Sequence, residues 1–235
     1  MSGRKLVVFN ADDLGYSLGI DRGIAEAHER GVVTSATMIV NAPTSADGAR
    51  VAREHPALSV GLHVNFTNEA QSLIDLDDEK ACRRELWDQY RRFTDLLGRK
   101  PSHLDSHQHV HRHEMRGPLF AELADLEGLP LRDRPPVVFK GGFYAQWEYG
   151  VGDPAKVSPE ALRRILREEL ADGIYEFCVH PGYFDPALEA VYHREREWEL
   201  ATLTDRTLPA FLADEGIRLI SFSELAAAER ALLGP

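Results

Sequence analysis

Lys5-Leu6-Val7-Val8-Phe9-Asn10-Ala11-Asp12-Asp13-Leu14-Gly15 carries a continuous apolar run, Leu6 to Phe9, into two adjacent carboxylates and a glycine. Continuous rather than alternating apolar residues mark a strand buried on both faces, the pattern of a parallel sheet covered by helices. From Ser17 to Arg30, Ile20, Ile24 and Ala27 then fall on one face at helical spacing. The unit is a strand followed by a helix, and it recurs. Ala36 to Val40 precedes a helix near Ala46 to Glu54, and Leu58 to Val64 precedes a longer helix near Glu79 to Leu97. His103-Leu104-Asp105 is a short strand, followed by a helix near Met115 to Asp125 and a strand at Val137 to Phe139. Ser158-Pro159 caps and opens a helix that stops at Asp172-Gly173; Ile174 to Val179 is a buried strand, and Ile217 to Phe222 a last one before a helix from Ser223.

This βα alternation predicts an α/β fold with mostly parallel strands and outer helices, either closed as a barrel or doubly wound. One domain over residues 1–235 is expected, since a chain of this length sustains one sizeable core. Gly128 to Val157, rich in proline, glycine and aromatic residues, breaks the pattern and reads as an irregular loop. In both architectures function collects at the carboxyl ends of the strands.

Acidic residues outnumber basic ones by 38 to 27, and the net charge of -11 argues against nucleic acid and against an anionic membrane surface as partners. No apolar run approaches a bilayer span, and residues 1–9 lack the core and cleavage site of a signal peptide. Cys82 and Cys178 form no ligand spacing with each other, which suits a reducing compartment, and the cytoplasm is the expected location.

Asp12-Asp13 would be an ordinary helix-capping turn if only one carboxylate were present. Two adjacent like charges call for a cation or a proton between them. His63, ending Val60-Gly61-Leu62-His63, would alone be a hydrogen-bonded rim residue. It gains meaning from His103-Leu104-Asp105-Ser106-His107-Gln108-His109-Val110-His111-Arg112-His113, which packs five of the ten histidines into eleven positions. At a period of two, Asp105 and His107 share a strand face, so His107 points into the site with Asp105 as a supporting neighbour. His109, His111 and His113 fall in the following loop. His180, ahead of Pro181-Gly182, ends the buried strand on the same rim. One carboxylate and two imidazoles leave coordination positions open, as catalytic metal sites do, and hydrolysis is the chemistry they serve.

Asn10 to Gly15, Gly31 to Ser35, Gly61 to His63, Arg99 to His111, His180 to Tyr183 and Leu219 to Phe222, in this order and spacing, resemble the YdjC-like family of carbohydrate deacetylases. The resemblance implies a distorted (β/α) barrel similar to the polysaccharide deacetylases. It implies that Asp13, His63 and His107 hold one divalent metal (Mg or Zn, with Mn and Co also suited), that Asp12 is the general base and that His180 assists as acid or transition-state stabiliser. The expected activity is removal of acetyl groups from N-acetylated sugars, N-acetylglucosamine-type or chitooligosaccharide, by a water activated at the metal. A small carbohydrate is then the partner, and a homo-oligomer is compatible with the family. Substrate contacts are expected from Asp105, Phe143, Tyr144, Trp147 and Tyr183. Competing readings are a metal-dependent amidohydrolase or phosphoesterase acting on another small substrate, a non-haem iron site built on His103, Asp105 and His180, and a non-catalytic carbohydrate-binding protein.

Overall fold

The computed structural model describes residues 5–68, 71–188 and 190–233; residues 1–4 lie outside the described residues. The elements are β1 (Lys5–Leu14), α1 (Leu18–Arg30), β2 (Ser35–Met38), α2 (Ser45–Glu54), β3 (Ser59–Val64), α3 (Glu79–Leu97) and β4 (Leu104–Ser106). They continue with α4 (Gly117–Glu127), β5 (Val137–Lys140), β6 (Gln146–Glu148), β7 (Val151–Gly152), α5 (Pro159–Glu168) and β8 (Gly173–Val179). The last are α6 (Glu195–Leu203), α7 (Leu208–Asp214), β9 (Ile217–Leu219) and α8 (Leu225–Leu233).

The main sheet has seven strands, all paired in parallel, in the order β4-β3-β2-β1-β8-β5, with β9 against the first residues of β1. Since β4 and β5 stand at opposite ends of that order, the barrel is open on one side. Alternation along β1 divides the molecule. Val7, Phe9 and Ala11 join the large core that includes Ile20, Ile24 and Ala27 of α1. Leu6 and Val8 face the other way and pack with Ile174, Ile220, Phe222, Leu225 and Ala228, an apolar plug at the amino end of the strands. Further up the same face come Asn10 and Asp12. The inside of the half-barrel thus passes from apolar to charged toward the carboxyl ends, where the site lies.

Four features depart from the sequence expectations. β1 runs on to Leu14, and β9 stops at Leu219. The segment 128–157 is only partly irregular: it contributes β5 to the main sheet and folds β6 and β7 into an antiparallel pair. α6 and α7 have no counterpart among the expected elements. The reason is legible in α6, which buries Glu195, Arg196 and Glu199 alongside Leu200 and Leu203, so its inward face is largely charged and gives little apolar periodicity.

Two contacts of α1 brace the loops that carry the site. Ser17 caps the helix through the Ile20 N–H, and Asp21 Oδ1 accepts the Gly15 N–H at 2.6 Å, fixing the turn after Asp13, where Gly15 has φ 84°. Burial pushes the Asp21 carboxyl up to about 7. Its folded value then lies above its unfolded value, so the native state binds the proton more tightly and stability falls as pH rises from about 4 to about 7. Asp21→Asn keeps the acceptor and cannot ionise. Relative to wild type it should gain roughly 1.4 kcal/mol per pH unit across that window in urea denaturation, and parallel curves would contradict the assignment.

The other contact is glycine on glycine. A Cβ on Gly23 would stand 2.4 Å from Gly182 Cα, and Gly182 follows His180-Pro181. Gly23→Ala should destabilise the fold by about 1–3 kcal/mol in urea unfolding, since neither backbone can yield without moving the His180 loop.

Candidate active site

Adjacent residues in a regular strand point to opposite faces, yet Asp12 and Asp13 both reach the same cavity. The register between β1 and β2 shifts between Ala11 and Leu14, and Asp13 sits at φ 75°, a left-handed conformation rare outside glycine. This bulge turns Asp13 back toward the site, so the two carboxylates converge with different partners.

Asp13 Oδ1 lies 3.0 Å from His107 Nδ1 and 3.3 Å from His63 Nε2. All three residues are buried, and their ligand-type atoms fall within 4.8 Å of one another. Donors bound at about 2.1 Å with bond angles of 90–110° stand roughly 3.0–3.4 Å apart, so these two separations fit a divalent ion without rearrangement. His107 Nε2 has no protein partner. His63 Nδ1 is held by Asp105 Oδ1 at 2.6 Å, which aims Nε2 at Asp13. Burial disfavours an imidazolium at His63, but Asp105 and Asp12 outweigh it and raise the ring to about 10. Metal entry at this ring therefore displaces a proton.

Asp12 is set apart by Arg132. The guanidinium, fully buried, reaches Asp12 Oδ1, Asp105 Oδ2 and Glu176 Oε1 at 2.7 Å each, and Asn10 Nδ2 donates to Asp12 Oδ1 at 2.8 Å. Burial would raise the Asp12 carboxyl; Arg132, with His63 and His180, holds it well below the usual carboxylate range. Asp13 is treated alike: burial opposes ionisation, and Arg196, which donates to its Oδ2 at 2.7 Å, prevails together with His107. Burial raises Glu176 to about 7 despite Arg132.

His180 stands beside Asp12 with Cys178 between them. The Cys178 thiol donates to Asp12 Oδ2 at 3.2 Å, and its sulfur is 3.8 Å from His180 Nε2. Burial, then Asp12, pushes the thiol well up. Burial also lowers the His180 ring to about 4, against the pull of Asp12 and Asp13. The His180 backbone N–H donates to Glu199 Oε2 at 2.5 Å, and Tyr144 and Tyr192 flank the ring edge-on, each with its centroid 5.5 Å away.

A cavity of about 400 Å³ opens onto Asp12, Asp13, His63, His107 and His180. Of the aromatic residues expected at the substrate, it brings in Tyr144, stacked on Tyr192 at 4.3 Å. The rest are corrected. Phe143 is fully buried in the core and shows no ring face, and Trp147 is exposed but does not line the cavity, whereas Tyr149 does. Tyr183 faces away, donating its hydroxyl to Glu26 under the Arg22 guanidinium. Asp105 is sealed behind His63 and Arg132 and does not line this cavity. The iron reading fails at His103, whose two nitrogens are taken by Ser102 and Asn10 at 2.9 Å each; the ring stacks on Phe222, and Gly61 leaves the room it needs. His111 is likewise engaged, by Ser106 and Asp133.

Sequence reasoning missed Arg132, Arg196 and Glu199. One signal pointed to the first two: inward-facing Asp12, Asp13 and Asp105 could not be buried together without compensating cations.

Sheet and site together define a parallel α/β half-barrel of the polysaccharide deacetylase type, carrying a candidate metal-binding group. A family 4 carbohydrate esterase from Streptomyces lividans, in complex with acetate, shares the fold, with a TM-score of 0.52 at 13% identity over 92% of this chain and 90% of that one. A suspected cellobiose-phosphate cleavage protein from Enterococcus faecalis V583 superposes with a TM-score of 0.75 at 25% identity over 94% of this chain and 99% of its own. Residues 6–214 match the family model described as YdjC-like protein, and the chain belongs to that family. It is 36% identical to a carbohydrate deacetylase of Geobacillus stearothermophilus, over 92% of this chain and 96% of the relative. It is 34% identical to a chitooligosaccharide deacetylase of Serratia marcescens, over 94% and 99%.

Proposed function

We propose that this chain is a metal-dependent hydrolase that removes acetyl groups from N-acetylated sugars, of the N-acetylglucosamine or chitooligosaccharide class. Asp13, His63 and His107 hold one divalent ion, Asp12 accepts a proton and His180 returns one. The observation that carries this reading is the convergence of a three-donor set and two proton-transfer groups, from four separate strand ends, on one cavity. The substrate class is supported by the deacetylase relatives. When bound, the ion supplies Lewis acidity at the acetamide carbonyl and acidifies a water.

The protein's own part follows from the partners on the page. Asp105 fixes the His63 tautomer, and Arg196 orients Asp13. Arg132 keeps Asp12 ionised at neutral pH, so it enters the reaction ready to take a proton from the attacking water. The His180 ring is neutral at rest and must gain a proton during turnover before it can give one to the leaving nitrogen. Tyr144 and Tyr192 pack against it and limit water, while Tyr144 and Tyr149 offer ring faces on which a sugar can stack. An oxygen and two imidazole nitrogens suit Zn, Mn or Co, and Mg with retained waters is also accommodated.

Acetate release from a panel of N-acetylated mono- and oligosaccharides tests the reading. Protein stripped by a chelator should be inactive and should regain activity when Mg, Zn, Mn or Co is restored. Activity undiminished after verified metal removal, or no acetate from any member of the panel with metal restored, overturns it.

A further inference from the structure

Beside the Asp13, His63 and His107 set lies a second grouping with ligand chemistry of its own. Asp12, Cys178 and His180 present a carboxylate oxygen, a sulfur and an imidazole nitrogen within 4.8 Å of one another, all on the wall of the same cavity. Donors at about 2.1 Å and a thiolate at about 2.3 Å from a common ion stand roughly 3.1–3.6 Å apart at angles of 90–110°. The observed separations are 3.2 Å for Asp12 Oδ2 to Cys178 Sγ, inside that range, and 3.8 Å for Cys178 Sγ to His180 Nε2, just beyond it. β8 supplies Cys178, and the extended residue His180 follows two positions on, so both side chains point to the same face, toward Asp12 on the neighbouring β1.

The two sets are close neighbours, with His63 Nε2 4.0 Å from Asp12 Oδ2.

We propose that Asp12, Cys178 and His180 form a second metal site, selective for thiophilic divalent ions, whose occupation inhibits the enzyme. Coordination replaces the S–H bond of Cys178 by a sulfur–metal bond, and the proton leaves to solvent. The soft sulfur and the imidazole favour Zn, Co and Cd over Mg, whose preference is for oxygen. The inhibitory half of the proposal rests on the functional reading above, because an ion here ties up the proton acceptor and the proton donor together; the binding half does not. Excess Zn is then an inhibitor of an enzyme that one Zn activates, whereas excess Mg is harmless.

The test is a Co titration of the full-length, metal-stripped chain without sugar, followed by near-ultraviolet absorption and by metal analysis after gel filtration. Wild type should take up two equivalents, one of them with a thiolate-to-cobalt charge-transfer band. Cys178→Ala should bind a single equivalent without the band. Saturation of wild type at one equivalent with no thiolate band, repeated with Cd, overturns the site, and so does a band that survives Cys178→Ala, because Cys82 is then its source. Acetate release is measured in parallel as the ratio of rates at excess and stoichiometric Zn, each variant serving as its own reference. That ratio should fall at least tenfold below one in wild type and stay near one in Cys178→Ala; equal ratios overturn the inhibitory role. Failure of the functional reading would appear instead as absence of acetate at every loading and would leave the absorption band unchanged.

Discussion

Asp12→Asn is expected to lower acetate release by about 10²–10⁴-fold, the range a positioned general base contributes, while the Mg content of Mg-loaded protein, in which the site at Cys178 stays empty, remains at the wild-type level. The separation of the two readouts comes from geometry. Asp12 is held by Arg132, Asn10 and Cys178, whereas the proposed ligands are Asp13, His63 and His107. The amide is nearly isosteric and preserves an oxygen for one guanidinium N–H, so the cavity should persist. It has no charge and accepts no proton at neutral pH. Acetate release would be followed under saturating sugar, with metal quantified on the same samples. A fully active variant removes Asp12 from the base role, and a variant that loses its metal shows that the two carboxylates share the ion.

Arg132→Met should cost about 3–5 kcal/mol of stability near pH 8 and abolish acetate release. The guanidinium is the shared counter-charge of Asp12, Asp105 and Glu176, and methionine fills much of its volume while leaving three carboxyls buried together. The pH dependence distinguishes lost charge from lost packing. Without the guanidinium the folded-state values of these carboxyls rise above their unfolded values. The native state then binds protons more tightly, and the deficit should shrink as pH falls from about 8 toward 5. Urea denaturation of both proteins across that range checks it, and a deficit constant with pH would assign Arg132 a packing role. Arg132→Lys should recover only part of the loss, since an ammonium lacks the planar fork that meets carboxylates on several sides.

Much of the architecture was legible because it is local. Apolar runs and helical spacings set down the parallel strand-and-helix alternation, and the strand-end rule by itself singles out Asp12, Asp13, His63, His107 and His180. The histidine cluster after β4 was conspicuous, and so was the implied need for a cation near the paired aspartates. The sugar-facing residues were harder to read. Phe143, Trp147 and Tyr149 lie in one aromatic segment, and nothing in their composition separates the buried ring from the exposed ones.

The sequence by itself therefore determined the class of fold, the end of the sheet where chemistry belongs and the residue types available there, since all three follow from periodicity and chain order. Only the tertiary structure decided how two adjacent aspartates serve different partners, through the bulge at Asp13, and brought His109 to the cavity wall beside His107. It alone brought Arg132 and Arg196 from segments without a readable pattern to neutralise them, because compensation of buried charge acts through space and imposes no spacing along the chain.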